Sequence, residues 1–358
     1  MKIYCQLTGC KTLVPTKGDI ITEIGIMTAL SQFADVYYSG TIFRPNEIDY
    51  GLCDYPEPVE SHVTDRYDAY YVRANKSVFK AIPRRKPKLW NAAPFSSYCY
   101  QKASAVVTFT CAWKKDLLGP NIHTEIPKEH QGLARKVVVI HQVVGDSFTP
   151  KQDSARTRQI RKEIGGSFVI GYFGCSRKSR YPFGLERVWP DLISKYPHVR
   201  LLFATTENAK NLSFPHSDNV VRRSFEHHDM PYALSACDVI HIARYQFVGE
   251  ICGCSKSIEA AACGVPILLG AHAARKELLG KDYPLFLPPI GGWSSGEEGI
   301  QRDAEAVWTM LQMIIEDEEL RRRVGESLPE KAKWFSVEES GKRLQRLFRK
   351  LVKGKLCG

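Results

Sequence analysis

Short apolar runs alternate with stretches of helical periodicity along this chain, and the alternation starts twice. Residues 1–6 (MKIYCQ) read as a strand. Across 19–33 the apolar residues Ile20, Ile21, Ile24, Met27, Leu30 and Phe33 fall on one helical face, with Asp19 placed as N-cap. Val36, Tyr37 and Tyr38 resume an extended pattern. A strand–loop–helix–strand unit of this kind begins a doubly wound parallel sheet. Further strands are expected at 69–72, 88–90, 105–109 and 136–140, the last a β-branched run (KVVVI) suited to a parallel strand buried on both faces.

The pattern breaks at 145–152 (GDSFTPKQ), where Gly, Asp, Ser and Pro cluster, and then restarts. Strands are expected at 167–173, 199–204, 220–221, 238–242 and 266–269. Helices are expected at 185–196, 230–236, 257–263, 303–315 and 338–352. A length of 358 residues suits two domains better than one. Ligands of such folds sit outside the carboxyl ends of the strands, and a cleft between the domains is the expected place for the site.

The eleven cysteines are scattered, with no pair of CxxC units, so neither a zinc ribbon nor a disulfide framework is expected. Most should act as small buried hydrophobes. No leader-like segment opens the sequence, and no apolar stretch approaches the roughly 18 residues needed to cross a bilayer, so a cytoplasmic protein is expected. The formal charge is +11, and its distribution is uneven. Residues 69–115 hold ten basic residues and no acidic one, and residues 341–358 hold seven and none. Such segregation points to an anionic partner or to a solvated basic surface. The acidic run 316–319 is expected on a solvated helix face.

The most informative stretch runs from Cys254 to Leu268 (CSKSIEAAACGVPIL). A loop leads into a helix of small residues, Gly264 ends it, and Pro266 opens the next strand. Small residues let the helix pack close to the sheet, and its amino terminus offers free N–H groups and partial positive charge to a phosphate. Glu259, one turn in, can accept hydrogen bonds from a ribose diol. The plain alternative is an amphipathic helix with Glu259 facing solvent.

The pattern Lys256-x-x-Glu259-Ala260-x-Ala262-x-Gly264-x-Pro266 resembles the donor-binding signature of GT-B glycosyltransferases, specifically family 4. Three more segments agree in order. Residues 225–239 are similar to the family's upstream helix–strand segment, 138–150 to its inter-domain segment, and 167–174 to the first strand and glycine loop of its C-terminal domain. The resemblance is good over residues 136–280 and weaker elsewhere. It implies an α/β fold of two Rossmann-like doubly wound domains facing across a cleft: an acceptor domain at 1–150, a nucleotide-sugar domain at 151–335, and a basic helix at 336–358 crossing back.

The resemblance also implies site residues. Glu259 would contact the ribose, and Glu250, in a run matching the family's E-x-F-G start, would lie beside the transferred sugar. The two glutamates are nine residues apart, where the family has eight, so one residue is inserted between them. Gly253, Ser255, Lys256 and Ser257 complete the loop and helix start. No D-x-D motif is present, so a metal-independent reaction is expected, in which cations neutralise the leaving diphosphate. After Gly174 the loop offers Arg177, Lys178 and Arg180, while Tyr172 stands where the family has an arginine. Arg244 is a further candidate. On the acceptor side Lys17 and Gly18 match the family's glycine loop, and the basic cluster Arg84, Arg85 and Lys86 adds positive charge. No catalytic histidine is assigned: His62 and His123 read as surface residues, His141 and His241 as core or cleft-lining.

The resemblance implies retention of configuration, from a donor of UDP- or GDP-linked type and with no cofactor. The acceptor stays open. The tail 342–353 is basic and amphipathic, which suits a lipid-linked glycan at the inner membrane face and peripheral membrane contact. Alternatively, Tyr70, Tyr71, Trp90, Phe95, Tyr98, Tyr100 and Trp113 interleave with cations in the acid-free segment, which suits a modified base in DNA. A sugar-nucleotide epimerase or phosphorylase, or a non-catalytic nucleotide-binding protein, remains on the same scaffold. A dinucleotide-binding enzyme is disfavoured because no G-x-G-x-x-G follows either first strand.

Overall fold

The structure is a computed structural model that describes residues 1–6, 18–38, 41–42, 67–72, 79–80, 82–83, 85–91, 102–118, 136–174, 181–205, 214, 217–243, 254–289 and 296–353. The chain divides into two units, residues 1–145 with 335–358, and residues 146–334.

Unit 1 is built on β1 (Lys2–Gln6), β2 (Asp35–Tyr38), β3 (Thr41–Ile42), β4 (Ala69–Val72), β5 (Lys88–Asn91), β6 (Ala105–Thr108) and β7 (Val137–Val139), in the order β3-β2-β1-β4-β5-β6-β7. All described pairings are parallel except β2 with β3. Every residue of β4 and β6 is buried, as parallel strands covered on both faces require. Helix α1 (Gly18–Ser31) links β1 to β2, and α2 (Cys111–Leu118) follows β6.

The last helix of unit 1, numbered α10 below (Val337–Val352), packs on α1. Ser336 caps it, accepting from the Glu339 amide at 3.3 Å. Its buried residues Val337, Ser340, Gly341, Leu344, Phe348 and Leu351 recur at three- and four-residue steps, one apolar stripe. The rings of Phe33 and Phe348 lie 6.5 Å apart. A Cβ at Gly341 would sit 3.0 Å from the Ala29 carbonyl oxygen, so a glycine lets the two helices approach there.

Unit 2 starts with α3 (Ala155–Ile164), capped by Ser154, and ends that helix at Gly165 with φ +73°. There follow β8 (Phe168–Gly174), α4 (Phe183–Lys195), β9 (Val199–Thr205), β10 (Val220–Arg223), a 3₁₀ turn at His227–Asp229, α5 (Met230–Ser235) and β11 (Val239–Ile242). Then come α6 (Ser255–Ala262), β12 (Ile267–Gly270), α7 (Ala273–Leu279), β13 (Phe286–Leu287), α8 (Gly296–Glu316) and α9 (Glu318–Ala332). The six strands are parallel, in the order β10-β9-β8-β11-β12-β13.

Asp238 ties three elements at the amino edge of this sheet. Its carboxylate accepts from the Val169 amide at 2.6 Å and pairs with Arg161 of α3 at 2.7 Å. Its own amide donates to Val169 at 2.9 Å. The acidic run at 316–319 is exposed to solvent, as expected, but it is split between two helices. It spans the break between α8 and α9, where the Asp317 carboxylate accepts from the Leu320 amide at 2.8 Å and Glu318 and Glu319 fill the first turn of α9. Negative groups are stabilised there by the helix dipole. Of the described cysteines, Cys5, Cys237, Cys254 and Cys263 are buried and Cys111 is exposed.

Candidate functional site

Strand order locates the crevice of unit 2. The chain runs outward from β8 to β9 and β10, then returns to place β11 on the other side of β8. That reversal is a topological switch point, and ligands of open α/β sheets bind outside the carboxyl ends of the strands at such a point. Here those ends are Gly174 on β8 and Ile242 on β11, the two strands being in register at Ile240 and Gly171. Helix α6 is the next described element after β11.

The local sequence of α6 sets its geometry. Cys254 precedes it in an extended conformation, with φ −123° and ψ 114°. At the other end Gly264 adopts φ +70°, its amide reaching the Ala261 carbonyl at 3.0 Å and the Val265 amide reaching Ala260 at 3.0 Å. This is a Schellman stop, and glycine takes that conformation without strain. The helix is buried from Ser257 to Ala262, so its small residues do pack close.

Glu259 is on the buried side of this helix, only 3% exposed. A solvent-facing Glu259 is therefore excluded. Its carboxylate is held by the Lys256 ammonium at 2.5 Å, one turn nearer the amino end. Ser257 beside it is fully buried, and its hydroxyl has no hydrogen-bond partner among the described residues. Ser255 opens the helix and is half-buried.

A residue that the motifs did not single out joins this group. His227, in the 3₁₀ turn before α5, is half-buried with its ring 5.6 Å from that of Phe148. Burial holds its imidazole below the ordinary value of 6.5, while the charge of Glu259 pulls the other way and that of Lys256 adds to the depression. His227 thus lies within electrostatic reach of the Lys256–Glu259 pair. Its sequence signals are its place in the family-like segment 225–239 and ahead of Asp229-Met230-Pro231, a helix start with proline in the first turn.

On β8, Tyr172 is buried and stacks on Phe203 at 4.8 Å. It fills the position at which the resemblance implied an arginine. A side chain at Gly174 would run into the Tyr172 hydroxyl, which keeps the carboxyl end of β8 bare. His241 faces the core, as expected of a strand histidine: it is 2% exposed, and burial together with the nearby Arg275 brings it down to about 4.

Gly18 opens α1 beyond the carboxyl end of β1, the edge that can serve a ligand. Arg85 and Lys86 do not share that edge. They precede β5 and so lie at the amino end of its strand, because all strands from β1 to β7 but β3 point the same way. Acceptor contacts by Arg85 and Lys86 are disfavoured by that position. Tyr70 and Tyr71 are buried in the core of unit 1 and present no ring for stacking on a base. The expected site residues Glu250, Arg177, Lys178, Gly253, Arg180, Arg244, Lys17 and Arg84 lie outside the described residues, as do His62 and His123.

No protein-family model matches the chain, and no curated protein does. Solved structures match along almost its whole length. Anabaena HepE in complex with UDP-glucose gives a TM-score of 0.64 at 14% identity, over 97% of this chain and 99% of that one. A glycosyltransferase from Rickettsia africae gives 0.69 at 12% identity, over 98% of each chain. The catalytic domain of starch synthase IV from Arabidopsis thaliana, bound to ADP and acarbose, gives 0.58 at 11% identity, over 98% of this chain and 99% of that one. At these identities the likeness is one of fold, and it is the GT-B architecture: two Rossmann-like α/β units, each on its own largely parallel sheet.

Proposed function

We propose that this protein is a glycosyltransferase that moves a sugar from a UDP- or GDP-linked donor, held by unit 2, to a hydroxyl of a glycan or lipid-linked acceptor. The observation that carries this is the buried Glu259, paired with Lys256 at the amino end of α6 beside the β8–β11 switch point. A buried carboxylate is costly unless it is paired or has a ligand to bind. With donor bound, Lys256 would turn to the diphosphate and Glu259 would accept from the ribose hydroxyls, so that each group trades one partner for another. The HepE and starch synthase complexes, which hold UDP-glucose and ADP, support a nucleotide in a fold of this kind.

In this proposal the reaction retains configuration and needs no metal. The bond from the anomeric carbon to the diphosphate breaks, and the acceptor oxygen bonds on the same face. The acceptor proton passes to the departing phosphate oxygen. Arg177, Lys178, Arg180 and the amides of the α6 start would neutralise the leaving diphosphate, and Glu250 would orient the sugar. Burial of Tyr70 and Tyr71 removes two of the aromatic groups that favoured DNA, so a glycan or lipid-linked acceptor is the better fit. The protein would work in the cytoplasm, at the inner membrane face where the acceptor is lipid-linked. Among the described residues no helix is long and apolar enough to cross a membrane.

The test is thermal stabilisation by UDP-, GDP-, ADP- and CMP-sugars in EDTA, with wild type beside Glu259→Gln. Stabilisation of wild type by one nucleotide class, lost in the variant, is expected. Equal stabilisation of the two proteins, or none by any donor, would overturn the proposal. Binding without turnover on any glycan acceptor would favour a non-catalytic nucleotide-binding protein.

A further inference from the structure

Helix α10 has spent its apolar face. Leu344, Phe348 and Leu351 are buried in the packing with α1, so they are not available to enter a bilayer. What remains outward is a row of cations. Lys342, Arg346, Arg349, Lys350 and Lys353 are exposed, at steps of three and four residues that put them along one face. Lys342 is bonded to Glu338 at 2.8 Å and Glu339 at 2.7 Å. The other four form no salt bridge among the described residues, although the charge of Glu339 reaches Arg346, and no acid occurs anywhere in residues 341–358. They span roughly 10 Å of helix at 1.5 Å per residue. Val352, 45% exposed, flanks the row on the side toward the buried Phe348.

We propose that this outward face of α10 is a docking surface for an anionic bilayer, held by charge at the headgroup level and without insertion of the helix. Four cations in a row on a rigid helix can meet a plane of lipid phosphates together. An exposed apolar side chain flanking them is favourable in the headgroup layer, where such groups partition, and has no counterpart on a nucleic-acid backbone. The proposal rests on α10 alone and stands or falls apart from the transferase.

The experiment is vesicle flotation of the full chain with phosphatidylcholine alone and with added phosphatidylglycerol, at low and raised salt. Binding to the anionic vesicles only, weakening with salt, is expected. The variant Arg346→Gln/Arg349→Gln/Lys350→Gln/Lys353→Gln should lose several hundred-fold in partition, from roughly fivefold per cation. Its circular dichroism should not change, because these side chains face solvent. Equal binding to neutral vesicles, no binding to anionic ones, or undiminished binding by the variant would overturn the proposal. Duplex DNA bound as tightly as the vesicles, and lost in the same variant, would overturn it in favour of nucleic acid.

Discussion

Lys256 holds its ammonium 2.5 Å from the Glu259 carboxylate, and only the carboxylate is deeply buried: 3% of the Glu259 side chain is exposed against 22% for Lys256. The two partners are therefore unequal in what their loss leaves behind. Lys256→Met strands a buried charge and should destabilise unit 2 by about 3 kcal/mol, the lower end for a broken buried pair. Glu259→Gln leaves a lysine that can reach water and should cost about 1 kcal/mol. Urea unfolding of both single variants and the double variant measures this. A double variant less stable than Lys256→Met would contradict it.

His241 supplies an acid limb. Its folded value of about 4 lies below the ordinary 6.5, so above 6.5 the ring is neutral in both states and contributes no pH dependence. As pH falls below 6.5 the unfolded chain takes up the proton first, and stability is lost until the folded ring titrates near 4. The gap corresponds to roughly 3 kcal/mol. His241→Leu should flatten this limb, read as urea unfolding at about pH 7 and about pH 5. The same slope in both proteins would place the titration elsewhere.

The strands were legible because parallel strands buried on both faces are continuous apolar runs. Residues 69–72, 105–108 and 199–205 show this with almost no polar interruption. Helix α3 was not legible, since only Thr157, Ile160 and Ile164 of its ten residues turn inward and the rest is charged or polar. Helix α9 carries Pro329 near its end and a charged surface, which hid its apolar positions Leu320, Val324 and Leu328. At the site, Glu259 stood out because its neighbours are small and a turn glycine follows. His227 did not, because its proximity to Glu259 is made by the fold and leaves no periodic trace.

Gly264 and Gly325 meet at a contact that admits no side chain on Gly325. A Cβ on Gly325 would lie 2.6 Å from the Gly264 carbonyl oxygen, a backbone atom that cannot swing aside. Inside α9, Gly→Ala would ordinarily gain about 1 kcal/mol of helix propensity. Overpacking costs about 1–3 kcal/mol, so the clash should win and Gly325→Ala should destabilise by about 1 kcal/mol. Gly264→Ala meets ordinary contacts but keeps φ +70°, and should cost about 1–2 kcal/mol from backbone strain. Thermal unfolding of the two variants decides; a more stable Gly325→Ala would mean that α9 shifts at no cost.

Asp238 belongs to one of the segments that resemble the glycosyltransferase family, yet it sits at the amino end of β11, the edge away from the switch-point crevice. Its bonds go to the Val169 amide and to Arg161, scaffold groups both. Asp238→Ala should therefore cost about 1–3 kcal/mol in stability, through an unsatisfied amide and a lost charged hydrogen bond. It should leave the affinity for a nucleotide sugar unchanged in the folded fraction. Asp238→Asn keeps an acceptor for Val169 and should recover part of the stability. Calorimetric titration at a temperature where the variants are folded separates the two roles. A loss of donor affinity matching that of Glu259→Gln would put Asp238 in the binding machinery and reverse its assignment to the scaffold.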